Sequence, residues 1–177
     1  MLGWLFHKLG WSVQGVMPGQ YKKFVIAIAP HTSAWDFVIG LMARSALGLQ
    51  KARYLGKSQL FKPPFGWFFR MTGGTPVDRS SPHDVVDQVV SIFNKHNEFI
   101  LALAPEGTRK KVGKLRTGFY YIAKGADVPI VPVGFDFEEK KIVIGEPLFP
   151  SDNFEGDVAT LLTFYRSIKG KIPELGL

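Results

Sequence analysis

A histidine and an aspartate stand five residues apart in the run Pro30-His31-Thr32-Ser33-Ala34-Trp35-Asp36. On a continuous helix, at about 100° per residue, they would lie roughly 140° apart and could not meet. The stretch Ser33-Ala34-Trp35-Asp36 is, however, a capping-box pattern, a serine followed three places later by an acidic residue. A helix that starts at Ser33 leaves His31 in the preceding loop, free to fold back over the first turn, where Asp36 sits. A carboxylate bonded to one ring nitrogen fixes the tautomer and leaves the other nitrogen to accept a proton. Such a pair is a general base, worth about 10²–10⁴-fold in rate when it acts on a hydroxyl. The same residues also fit a plain helix cap beside a surface-loop histidine, so this run by itself leaves both readings open.

Other runs carry groups suited to anions. Pro105-Glu106-Gly107-Thr108-Arg109 is followed by Lys110, Lys111, Lys114 and Arg116. Gly107 lets the backbone approach a ligand, and Arg109 offers a planar fork that matches phosphate. Glu106 can orient Arg109 or bind ligand hydroxyls. In Gly73-Gly74-Thr75-Pro76-Val77-Asp78-Arg79, paired glycines allow a tight turn that places Arg79 at the start of the next element. Arg79 could join Arg109 on one phosphate, or simply pair with Asp78. Val128-Pro129-Ile130-Val131-Pro132-Val133 is an apolar strand whose prolines cannot donate to a ladder, which suggests an edge or a bulge.

The elements that must position these residues follow from hydrophobic period. Buried strands are expected at 24–29, 99–104, 130–135 and 141–144, with weaker strands at 52–55 and 74–77. Helices are expected at 34–47 and 116–124. A further helix is capped by Ser81, opens with Pro82, and carries Val85, Val86, Val89, Val90 and Phe93 on one face. Strands alternating with helices predict an α/β fold: a single domain over 1–177, with a mainly parallel central sheet covered by helices. Ligand sites in such folds lie beyond the carboxyl ends of the strands, and His31 and Glu106 both stand just past such ends.

Composition narrows the classes. The 177 residues contain no cysteine, which removes disulfides, thiol nucleophiles and thiolate metal sites together. A formal charge of +7 favours an anionic partner: nucleic acid, a membrane surface or a phosphorylated small molecule. No nucleic-acid-binding module is recognisable and the cations are scattered, so nucleic acid is not expected as the partner. There is no G-x-S-x-G elbow, and His7, His31, His83 and His96 are too widely spaced for a zinc motif. Aromatic residues make up 14% of the chain, 15 of them Phe. Segment 1–15 is apolar yet shorter than the roughly 20 residues needed to cross a bilayer, and it lacks a signal-peptide pattern, so the chain is expected to be cytoplasmic. Leu2, Leu5, Phe6, Leu9 and Val13 fall at helical spacing, with Trp4 and Trp11 beside Lys8. That pattern suits an interfacial amphipathic helix over 1–15, or a terminal helix packed on its own domain. The run from Leu60 to Met71 mixes aromatics with flanking cations, as interfacial segments do.

Taken together and in this order, the His31, Arg79, Glu106 and Val128 segments resemble the phospholipid and glycerol acyltransferase family, of the 1-acylglycerol-3-phosphate acyltransferase kind. The resemblance runs from about Phe24 to Phe135 and includes Leu55-Gly56-Lys57-Ser58-Gln59-Leu60-Phe61, similar to that family's basic segment. It implies that His31 and Asp36 are the catalytic pair, and that acceptor phosphate binds near Arg79 and at Glu106, Gly107, Thr108 and Arg109. Lys57 is a further phosphate ligand on this reading, and the Val128 segment shapes the acyl site. The donor implied is an acyl thioester, acyl-CoA or acyl carrier protein, as co-substrate. The acceptor is a phosphate-bearing lipid such as a lysophospholipid. No metal or other cofactor is implied, because a thioester is already activated. N–H groups at the start of the Ser33 helix are expected to steady the oxyanion. Ala104 stands where the family usually has Phe, and Thr117 stands where lysine often precedes the glycine that is here Gly118. Both departures bear on the acceptor. The long membrane-spanning region of many relatives is missing, so attachment is expected to be peripheral, on the anionic cytoplasmic face of the membrane. The rival expectation is a non-catalytic module that binds anionic membranes or lipid head groups through the same basic and aromatic surface.

Overall fold

Alternation along the strands builds two cores at once. In β2 (Lys23–Ile28), Phe24 and Ile26 enter one core while Val25 and Ala27 enter the other. In β5 (Phe99–Leu103), Ile100 faces the first and Phe99 and Leu101 the second. A strand with apolar residues on both faces must be covered on both, which is why it sits centrally in a parallel sheet. The computed structural model describes residues 2–77, 82–109, 111 and 115–176, with the backbone alone at 82–84. It has a seven-stranded sheet, order β1-β7-β6-β2-β5-β3-β4. The remaining strands are β1 (Ser12–Gln14), β3 (Arg53–Lys57), β4 (Gly74–Val77), β6 (Ile130–Asp136) and β7 (Lys141–Ile144). β6, β2, β5, β3 and β4 run parallel, whereas β7 is antiparallel to β6 and carries β1 with it.

Helices cover the two faces, so the expected α/β fold with a mainly parallel sheet is present. α1 (Leu2–Lys8) and α2 (Trp35–Ala46) close one core through Phe6, Ile39, Met42 and Ala43. α4 (Pro82–Lys95), α5 (Gly118–Gly125) and α6 (Phe154–Tyr165) close the other through Val89, Phe93, Phe119, Ile122, Leu161 and Tyr165. Each large apolar side chain so buried stabilises the fold by about 1.5–3 kcal/mol. α3 (Gly66–Met71) lies beside β4, after a 3₁₀ turn at Ser58–Phe61.

Several expectations need correction. The helix expected over 1–15 stops at Lys8: Trp11 turns into the core against Phe137, ring centroids 5.1 Å apart, and Ser12–Gln14 pairs with β7. Trp4 stays exposed with the Lys8 ammonium 4.7 Å from its ring. The proline-containing strand is not an edge; β6 lies between β2 and β7 and is buried throughout. Pro132 is tolerated there because its carbonyl, which accepts from the Gly145 N–H at 2.9 Å, faces the β7 side. Its missing donor therefore falls just past the Val133–Ile144 pair, where the β6–β7 ladder ends. α6 was not anticipated, although Asn153 caps it by accepting from Gly156 N–H and Glu155 and Asp157 occupy its first turn. The Ser81 cap falls outside the described residues, but the helix begins at Pro82 as expected.

Candidate active site

β2 delivers the chain to Pro30 and His31 at the carboxyl edge of the sheet, and α2 begins four residues after the histidine. The imidazole Nδ1 lies 2.9 Å from Asp36 Oδ2. The same oxygen accepts the Ser33 N–H at 2.9 Å, while Ser33 Oγ accepts the Trp35 N–H at 3.2 Å. The capping box is thus half formed: its carboxylate reaches back as expected, but the helix starts two residues after Ser33. Asp36 is 3% exposed, whereas the His31 side chain is 23% exposed. With Nδ1 engaged by a carboxylate, the proton is assigned to Nδ1 and Nε2 is left as the acceptor. The N–H groups of Ser33, Trp35 and Asp36 are all donated within this turn.

β5, the neighbour of β2, supplies the second contact. Both carboxylate oxygens of Glu106 accept the His31 backbone N–H, at 3.0 and 3.1 Å, with Glu106 only 1% exposed. Its carboxylate is therefore directed to the histidine loop rather than to Arg109. Burial pushes the Glu106 carboxyl above its ordinary range, a shift that the His31 N–H opposes and the Asp36 charge reinforces. The turn after Glu106 requires glycine. Gly107 has φ +65°, and a methyl group placed on it would lie 2.6 Å from Arg116 Nε. Arg116 closes the loop by donating its N–H to Pro105 O at 2.8 Å.

The structure brings His31, Asp36 and Glu106 into contact. Lys57, the last residue of β3, is exposed at the same carboxyl edge, as is Arg109, with Thr108 half-buried between Gly107 and Arg109. Arg79, Lys110 and Lys114 lie outside the described residues. Among the described residues no cluster of His, Cys, Asp or Glu is arranged to hold a metal ion. Val128 to Val133 is core rather than cleft: Val128 and Ile130 join one cluster, and Val131 and Val133 the other. Sequence reasoning missed Thr32, 2% exposed, whose Oγ1 accepts the Ile172 N–H at 3.2 Å. A hydroxyl inside the His31 run was visible, but nothing in the sequence named its distant partner.

Fold and site together define an α/β protein with a carboxylate-braced histidine at the carboxyl edge of its sheet. A family model described as Acyltransferase matches residues 12–136, and the chain belongs to that family. Among curated relatives, the 1-acyl-sn-glycerol-3-phosphate acyltransferase of Escherichia coli (strain K12) is 31% identical over 150 residues, 80% of this chain and 60% of that protein. The protein of that name from Streptococcus pneumoniae (strain ATCC BAA-255 / R6) is 28% identical over 135 residues, 71% of this chain and 49% of its own length. The chain thus spans about half to three-fifths of these relatives. The fold is also that of the crystal structure of the 1-acyl-sn-glycerophosphate (LPA) acyltransferase, PlsC, from Thermotoga maritima. The TM-score is 0.58 at 20% identity, covering 92% of this chain and 73% of that one.

Proposed function

We propose that this protein moves an acyl group from a thioester, acyl-CoA or acyl carrier protein, to a hydroxyl of a phosphate-bearing lipid acceptor of the 1-acylglycerol-3-phosphate kind. The observation that carries the reading is the 2.9 Å contact between His31 Nδ1 and buried Asp36 on a loop that leaves the ring partly exposed. Arg109 and Lys57, and by sequence Arg79, supply cations for the acceptor phosphate. With the phosphate held, the acceptor hydroxyl lies beside His31, whose Nε2 takes its proton as the oxygen attacks the thioester carbonyl. Asp36 stabilises the imidazolium so formed. The tetrahedral intermediate then collapses: the C–S bond breaks, the imidazolium returns its proton to the leaving sulfur, and ester and free thiol result. The thioester brings its own activation, so no metal or redox cofactor enters this scheme. The protein works at the cytoplasmic face of the membrane on this reading, seated by exposed aromatic residues beside its cations.

The test is incubation of purified protein with mixed acyl thioesters and a panel of lysolipids, products being identified by mass spectrometry. His31→Ala should lower turnover by about 10²–10⁴-fold while retaining lipid binding. Full turnover in that variant would remove the general-base role. Lipid binding with no acylation by either protein would favour a head-group-binding module.

A further inference from the structure

The residues flanking His31 in the chain are gripped from behind by the C-terminal segment, which lies beyond the 12–136 family match. The grip begins in α6, where the buried Tyr165 hydroxyl donates to Ala27 O at 2.6 Å, near the end of β2. The segment then runs along the sheet. Phe137 N–H donates to Lys169 O at 2.8 Å, and Gly134 makes room for Ile168, whose Cγ1 would lie 2.6 Å from a methyl group there. Next it crosses the histidine loop: Ile172 N–H donates to Thr32 Oγ1 at 3.2 Å, and Gly176 packs beside Pro30. At Gly170 the approach is so close that a methyl group would fall 2.8 Å from Thr32 Oγ1, 2.9 Å from Thr32 Cγ2 and 3.1 Å from Pro30 Cγ. Neither neighbour can step aside easily, because Thr32 is a buried β-branched residue and Pro30 is a ring.

We infer that the segment from Ile168 to Gly176 is a strap that positions the catalytic histidine, through the packing of Gly170 on Pro30 and Thr32 and the Ile172–Thr32 hydrogen bond. The inference rests on the reading of His31 as the base. Glu106 holds the His31 backbone on one side and Asp36 holds its ring. Neither contact fixes the residues before and after it; the strap does. Thr32 and Gly170 are positioning residues, acting on the reaction only through the place they give the imidazole. Misplacing a reacting group by about 1 Å can reduce rate by about 10²-fold with little effect on binding.

Gly170→Ala drives a wedge into both flanks of His31. Thr32→Val removes the acceptor for Ile172 N–H while keeping the shape, and Thr32→Ser restores the oxygen. Steady-state kinetics of the full chain should show kcat lowered about tenfold or more in Gly170→Ala and Thr32→Val, with KM for donor and acceptor within about twofold of the parent and Thr32→Ser close to it. In protein carrying ¹³C-labelled histidine, the His31 ring resonance should shift or broaden in Gly170→Ala while circular dichroism stays that of the parent. The proposal is overturned by unchanged kcat and an unchanged ring resonance in the folded variants. It is equally overturned by a rise in KM that accounts for the whole loss, or by a loss that merely tracks the unfolded fraction. His31→Ala run in parallel separates the levels. If it is inactive while Gly170→Ala and Thr32→Val behave as the parent, the strap fails and the base reading stands; if it is fully active, both fail.

Discussion

His31 is held by chemically unlike contacts, and Glu106 is the one whose removal is most informative. Its oxygens accept one part-buried N–H and themselves lie away from solvent. Glu106→Ala should therefore destabilise the protein by about 1 kcal/mol or more, the usual effect of losing a hydrogen bond and leaving a partly buried donor unpaired, measurable by urea unfolding. Glu106→Gln behaves differently, because it keeps an acceptor oxygen but never ionises. Burial raises the Glu106 pKa above its ordinary 4.5, so the folded state holds that proton more tightly than the unfolded chain does. The stability tied to it is full below the unfolded pKa and is lost as pH rises through the folded pKa. Glu106→Gln escapes that loss. Its melting temperature should match or exceed the parent's at pH 7, with the advantage fading as pH falls below the ordinary carboxylate range. A disadvantage that grows toward neutral pH would contradict burial as the dominant influence on this carboxyl.

At the level of elements, α5 and α6 are locked by Tyr120, which donates to Ser151 O and Asp157 Oδ2, both at 2.8 Å. Asp157 Oδ2 also accepts the Ser151 N–H and hydroxyl, so one carboxylate in the first turn of α6 gathers the chain that enters it. Tyr120→Phe keeps the edge-to-face packing on Phe154, centroids 4.9 Å apart, and should lower stability by about 1 kcal/mol at neutral pH. Burial, reinforced by Asp157, pushes the Tyr120 hydroxyl up to about 12 from 10.0. A raised folded pKa means that the tyrosine's contribution is complete below pH 10 and declines as pH rises from there toward 12. Unfolding curves of Tyr120→Phe should lack that part of the alkaline decline. This lock matters to the site because α6 ends at Tyr165 and leads into the strap.

For the whole molecule, the charge of +7 and the exposed aromatics belong together. The stretch expected to be interfacial divides between two roles. Phe61 is buried and packs on Phe69, whereas Leu60, Phe65, Trp67 and Met71 remain exposed, with Lys62 and Arg70 exposed among them. Aromatic and aliphatic side chains beside cations suit the boundary of an anionic bilayer. No helix among the described residues is long and apolar enough to cross a membrane. Phe65→Ser combined with Trp67→Ser should weaken flotation with anionic liposomes. Because both side chains are exposed, each change should alter stability by only about 0.5 kcal/mol. Unchanged flotation of the double variant would mean that this surface does not bind membrane.

Local order along the chain settled much of this protein in advance. Short apolar runs located β2, β5, β6 and β7, and a period of 3.6 located α4, because burial on both faces of a strand or on one face of a helix is written directly into residue order. The pairing of His31 with Asp36 was legible because it is local: the capping-box spacing from Ser33 to Asp36 places the carboxylate in the first turn of α2, and His31 stands in the loop that leads into that turn. What remained hidden involves partners far apart in the chain. Glu106 meets His31 across 75 residues and Ile172 meets Thr32 across 140, and β6 proved central rather than an edge. Such contacts depend on strand order and on which helix or tail covers which face. Those are fixed only when the whole sheet packs, since no short-range propensity distinguishes one distant partner from another.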